Sequence, residues 1–108
     1  MMEITNRDRH RWQLTAVRAL ADLIEQAFAA DLPAVDWRVA TGARLLGTPG
    51  PGPDADKVAA VQAWANYLGE DVIVSTQGDQ VRHQVTTEIA EPDQMTVTVT
   101  LMTSVYTD

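Results

Sequence analysis

The stretch Met95-Thr96-Val97-Thr98-Val99-Thr100-Leu101-Met102-Thr103 constrains the fold more than any other. Its apolar residues Met95, Val97, Val99 and Leu101 fall on odd positions and its threonines on even ones, the two-residue period of a strand with one buried face. Successive side chains leave a strand on opposite sides, so the rest of the chain must cover the odd face. The even face, with Thr96, Thr98, Thr100 and Met102, is then left for water or for another subunit. It carries hardly a charge to keep a second sheet away.

Upstream, residues 6–30 read as a helix with Thr5 or Asn6 as N-cap and Asp8 in the first turn, where a carboxylate meets the positive end of the helix dipole. Leu14, Val17, Leu20, Ala21, Ile24, Ala27 and Phe28 recur at spacings of three and four and predict the buried stripe, with Trp12 and Leu23 off its centre. Pro33 ends the helix near Ala30. Val35-Asp36-Trp37-Arg38-Val39-Ala40 alternates with Val35, Trp37 and Val39 on one side, and Arg44-Leu45-Leu46-Gly47 returns as the second strand of a hairpin. The segment from Thr48 to Pro53 interleaves prolines, which lack a backbone donor, with conformationally free glycines, so it is a loop.

A second helix spans residues 55–68, with Asp54 as N-cap, Gly69 at the left-handed C-terminal cap, and Val58, Val61, Trp64, Ala65 and Leu68 facing inward. Residues 72–75, a turn around Gln77-Gly78-Asp79, and residues 81–89 form a second hairpin, and Glu91-Pro92-Asp93 turns into the final strand. The order is α-β-β-α-β-β-β. Asp36-Trp37-Arg38-Val39-Ala40-Thr41 echoes Asp71-Val72-Ile73-Val74-Ser75-Thr76 at an offset of 35 residues. Two such αββ units predict an α+β domain covering residues 1–108, one largely antiparallel sheet with both helices packed on one face. If the final strand pairs with both hairpins, it lies at the centre of the sheet.

Composition narrows the class of function. The chain has 108 residues and no cysteine, so disulfides and thiolate metal sites are excluded and packing must supply the stability. No apolar run reaches the roughly 20 residues of a membrane span, and the first residues lack the apolar core of a secretory signal, which points to a cytosolic protein with no membrane partner. The net charge is −7, although residues 1–18 carry +2. An acidic body repels phosphate backbones, so nucleic acid is disfavoured as a partner except at the N-terminal arginines.

The succession Leu32-Pro33-Ala34-Val35-Asp36-Trp37-Arg38-Val39, Leu45-Leu46-Gly47 and Val61-Gln62-Ala63-Trp64-Ala65-Asn66-Tyr67-Leu68-Gly69 resembles small uncharacterised α+β proteins of actinobacteria and their mobile elements. The matching span, 32–69, is about a third of the chain. The resemblance implies a source and a fold type and brings no catalytic residues with it. Abundant alanine and seven arginines among eight basic residues are in keeping with a GC-rich genome.

Few residues have the makings of chemistry. His83 sits among mostly apolar odd positions, where an imidazole can act as a general base or ligand or can simply bond a backbone carbonyl. The second reading is favoured because no recognisable constellation accompanies it. His10 lies on the exposed side of the first helix, and two histidines without a spaced motif make no metal site. Ser75 and Ser104 lack a nucleophile-elbow setting, and the proline-glycine loop lacks the lysine of a phosphate-binding loop, so nothing here motivates an enzyme, and no cofactor is expected. Arg7, Arg9 and Arg11 oppose the helix dipole, which makes them candidates for an acidic partner, against local pairing with Asp8 and the protein's own acidic surface. Trp12 is the tryptophan that fits a buried stripe least and is the expected interface anchor. Together these features predict a non-enzymatic module that binds protein, foremost a second copy of itself, through the outer sheet face or an edge strand. A ligand-binding or hydrolytic domain around His83 is the alternative, and a nucleic-acid regulator using the arginines ranks third.

Overall fold

In the computed structural model, which describes residues 3–92 and 95–106, the chain runs α-β-β-α-β-β-β. Asp93, which the sequence places in the last turn, lies outside the described residues. Helix α1 spans Asn6–Ala29. Its N-cap is Thr5, whose hydroxyl accepts from the Asp8 backbone N–H at 3.1 Å while the Asp8 carboxylate accepts from the Thr5 N–H at 3.1 Å. This reciprocal box satisfies two donors that the first turn leaves open. The Thr5 backbone N–H, then its hydroxyl, hold the Asp8 carboxyl below its ordinary value of 3.8. A carboxyl lowered by folding stabilises the folded state at pH above that ordinary value, so the cap weakens as acid titrates Asp8.

Strands β1 (Val35–Ala40) and β2 (Arg44–Pro49) form the first hairpin, α2 spans Asp54–Leu68, and β3 (Ile73–Gln77), β4 (Gln80–Ala90) and β5 (Thr96–Tyr106) follow. The N-cap of α2 is Pro53, with no side-chain cap bond, rather than Asp54; Asp54 and Asp56 lie in the first turn, where they still face the positive dipole end. Gly69 closes the helix in the left-handed conformation, φ 72°.

The sheet order is β1-β2-β5-β4-β3, so β5 is the central strand. All pairings are antiparallel except β2 with β5, which is parallel. Both helices lie on the odd face of β5: α1 packs over β1, β2 and β5, and α2 over β2, β4 and β5. Val97, Val99 and Leu101 are fully buried there beside Leu45 and Val85, with Val61 and Trp64 of α2 above them. Leu45 lies opposite Val99, and Val85 opposite Leu101. Each such side chain contributes about 1.5–3 kcal/mol by leaving water.

Two contacts fix the first hairpin under the helices. Gly47 lies opposite Trp37 in the β1–β2 register, and a Cβ at that position would sit 2.7 Å from Val35 Cγ1 and 2.8 Å from Trp37 Cζ3. The missing side chain lets the Trp37 ring lie against β2. Trp37 then meets Trp64 edge to face, centroids 5.7 Å apart at 79°, a favoured aromatic geometry. The buried Trp64 indole N–H donates to the Pro33 carbonyl at 2.9 Å, tying the segment after α1 to α2.

The face that α1 buries differs from the expected one. Thr15, Ala16, Ala19, Leu23 and Ala27 are buried, with Trp12 and Leu20 partly so, whereas Leu14, Val17, Ala21, Ile24 and Phe28 are exposed. The helix carries two apolar stripes. The stripe rich in alanine lets its backbone lie close to the sheet, and the bulkier stripe is turned to the side. Only Ala27 and Leu20 of the expected set face inward.

Candidate functional site

The outer face of the sheet is where the sequence points first. Its geometry follows from the strand register. Leu46, Thr100 and Thr86 form one cross-strand row, and the hydroxyls of Thr86 and Thr100 are 3.2 Å apart, within hydrogen-bond distance. Thr96 is exposed, and Thr98, Thr100 and Met102 are half-buried by their neighbours. The expectation of a nearly charge-free face is corrected here. Arg44 and Glu88 flank Thr98 from either side, and Arg82 lies opposite Ser104. Those charges belong to β2 and β4, so the alternation within β5 could not reveal them. Asp36 and Arg38 of β1 extend the polar border at the far edge.

The two edges of the sheet differ. Strand β1 carries Asp36 and Arg38, and α1 lies over it. Strand β3, Ile-Val-Ser-Thr-Gln, has no charged residue and no proline, pairs among the described residues with β4 alone, and is exposed at every position. Ile73 is 67% exposed on the outer face and Val74 is 56% exposed on the helix side, so neither face of β3 is covered. An edge of this kind offers unpaired N–H and C=O groups along its free side, without the charges or proline by which edges are usually blunted. The echo between residues 36–41 and 71–76 therefore falls on the two edges, which are otherwise unlike.

The remaining candidates are dispersed. His83 lies on the helix side of β4, half-buried between Val74 and Thr103 on the neighbouring strands, and no acidic residue stands opposite it. Thr87, on the same side of β4, donates instead to Glu70 at 3.3 Å. Ser75 and Ser104 both flank Arg82, on the outer face away from His83. Among the described residues no group of three or more His, Cys, Asp or Glu is placed to hold a metal ion. Arg7, Arg9, His10 and Arg11 are exposed on the first turns of α1. Trp12 is half-buried and packs against the core. It forms one wall of a hollow of about 450 Å³ whose rim includes Arg9, Arg38 and Arg44.

Sequence reasoning found the bulkier stripe of α1 but assigned it to the core, whereas the structure turns it outward. Phe28 is 89% exposed, and Leu14, Val17 and Ile24 each expose about half their surface. Ile24 and Phe28 also border an apolar hollow of about 410 Å³ floored by Val35, Trp37 and Trp64. The signal was present in the spacing: 14, 17, 21, 24 and 28 alternate by three and four, as in a heptad seam, whereas the buried stripe is marked by small residues. Among the described residues no helix is long and apolar enough to cross a membrane. No family model, no curated protein and no solved structure matches this chain.

Proposed function

We propose that this protein is a non-enzymatic protein-interaction module, cytoplasmic and of actinobacterial type, that self-associates through its sheet. The observation that carries the proposal is β3, an uncharged edge strand uncovered on both faces and continuous with an outer face rich in threonine. A second copy laid antiparallel along β3 satisfies the free backbone groups of both strands and brings Ile73 and Val74 of each out of water. The charged residues named on the outer face, Asp36, Arg38, Arg44, Glu88 and Arg82, lie on β1, β2 and β4, and none is on β3.

Light scattering coupled to size exclusion, across a range of protein concentrations, tests the reading. The wild-type chain should exceed the monomer mass and grow with concentration. Val74→Lys, which places a charge on the exposed edge, should lower the mean mass at each concentration and leave the unfolding free energy of the dilute protein within about 0.5 kcal/mol of wild type, as befits a surface position. A monomeric wild type, or a Val74→Lys protein of unchanged mass, would refute it.

A further inference from the structure

The outward stripe of α1 asks for an occupant of its own. Leu14, Val17, Ala21, Ile24 and Phe28 occupy the two apolar positions of successive heptads along one exposed side of a 24-residue helix. That is the pattern by which one helix seats its side chains between those of another. The charges along α1 say which helix. Residues 6–18 hold Arg7, Arg9, Arg11 and Arg18 against Asp8, a balance of +3; residues 19–31 hold Asp22, Glu25 and Asp31 and no basic residue, a balance of −3. A helix with one basic and one acidic half is complementary to itself when reversed, and repels itself when parallel.

We infer that α1 is a second interaction surface, on which the α1 helix of another copy of this chain docks antiparallel. With Val17 beside Ala21 of the second copy, Leu14 faces its Ile24, and the two-fold axis repeats both contacts. Arg11 and Glu25 share one flank of the stripe, so reversal brings Arg11 alongside Glu25 of the other copy, while Arg18, next to the axis, lies near its own equivalent and adds nothing to the match. This contact lies on the helix layer and is separate from β3 at the sheet edge, so the two surfaces can be occupied together.

The test is made on the full chain carrying Val74→Lys, which removes the proposed edge contact and leaves α1 as the readout. Sedimentation should show a dimer, and adding Ile24→Glu should weaken it at least tenfold, with circular dichroism of the dilute protein unchanged. Arg11→Glu and Glu25→Arg should each weaken it several-fold, and the two together should restore it. The chain has no cysteine of its own, so single cysteines report orientation. Leu14→Cys and Ile24→Cys proteins, mixed and oxidised, should cross-link to one another, and Leu14→Cys alone should not. A Val74→Lys protein that stays monomeric overturns the α1 contact while leaving the sheet reading standing. A dimer indifferent to Ile24→Glu, a double charge reversal that fails to restore it, or a Leu14→Cys protein that cross-links to itself would each overturn it as well.

Discussion

Gly47 shows how much one missing side chain can organise. It is buried in the middle of β2, where a residue of almost any type would satisfy the ladder, yet Val35 and Trp37 close over it to 2.7 and 2.8 Å from where a Cβ would stand. Trp37 is held by that contact on one side and by the edge-to-face contact with Trp64 on the other. Gly47→Ala should therefore cost about 1–3 kcal/mol, the usual penalty for adding volume to packed surroundings, read as a lowered urea midpoint with an unchanged slope. The near-ultraviolet signal of the tryptophans should change with it. A variant as stable as wild type would mean that β1 can move away from β2 at little cost. Trp64 belongs to the same cluster, since its indole bond to Pro33 satisfies a donor that would otherwise be buried without a partner.

At the scale of elements, α1 separates what a sequence displays from what packing decides. Its limits were legible, because Thr5 and Asp8 make a capping signal and Pro33 a stop. Its roll was not, because two apolar stripes overlap on one helix and side-chain size favours the wrong one. Hydrophobic periodicity weights Leu14, Ile24 and Phe28 above Ala16, Ala19 and Ala27, whereas close approach to a sheet rewards the small residues. The roll makes a quantitative prediction. Leu23→Ala should cost about 2–5 kcal/mol through the cavity it opens, while Leu14→Ala should stay within about 0.5 kcal/mol in denaturant titrations of dilute, monomeric protein. Equal losses would place the helix at a different roll. The strands were read more fully: the alternation of Val35, Trp37 and Val39, and of Val97, Val99 and Leu101, gave the correct buried side of both. What alternation omits is which strands are neighbours, and so the exposure of β3 and the charges beside Thr98 became visible only once the register was known.

The whole molecule depends on β5, which lies between the two hairpins and pairs with both. On one side it pairs in parallel with β2, on the other antiparallel with β4, and three of its residues, Val97, Val99 and Leu101, are fully buried beneath the helices. A chain ending at residue 94 loses those three side chains, at about 1.5–3 kcal/mol each, together with two hydrogen-bonded ladders, against the roughly 5–15 kcal/mol that holds an average domain together. It should lack a cooperative thermal transition and give the narrow amide dispersion of an unfolded chain. A sharp transition in that truncated protein would show that the two hairpins can hold together without their central strand. The position of β5 also sets a timetable for the living cell. Translation delivers both helices and both hairpins before the strand that unites them, and at about 5–20 residues per second the nascent chain waits, with its alanine-faced helix and its apolar strand sides open to whatever chaperones are near. Assembly of the core is thereby postponed until the ribosome has all but finished with these residues.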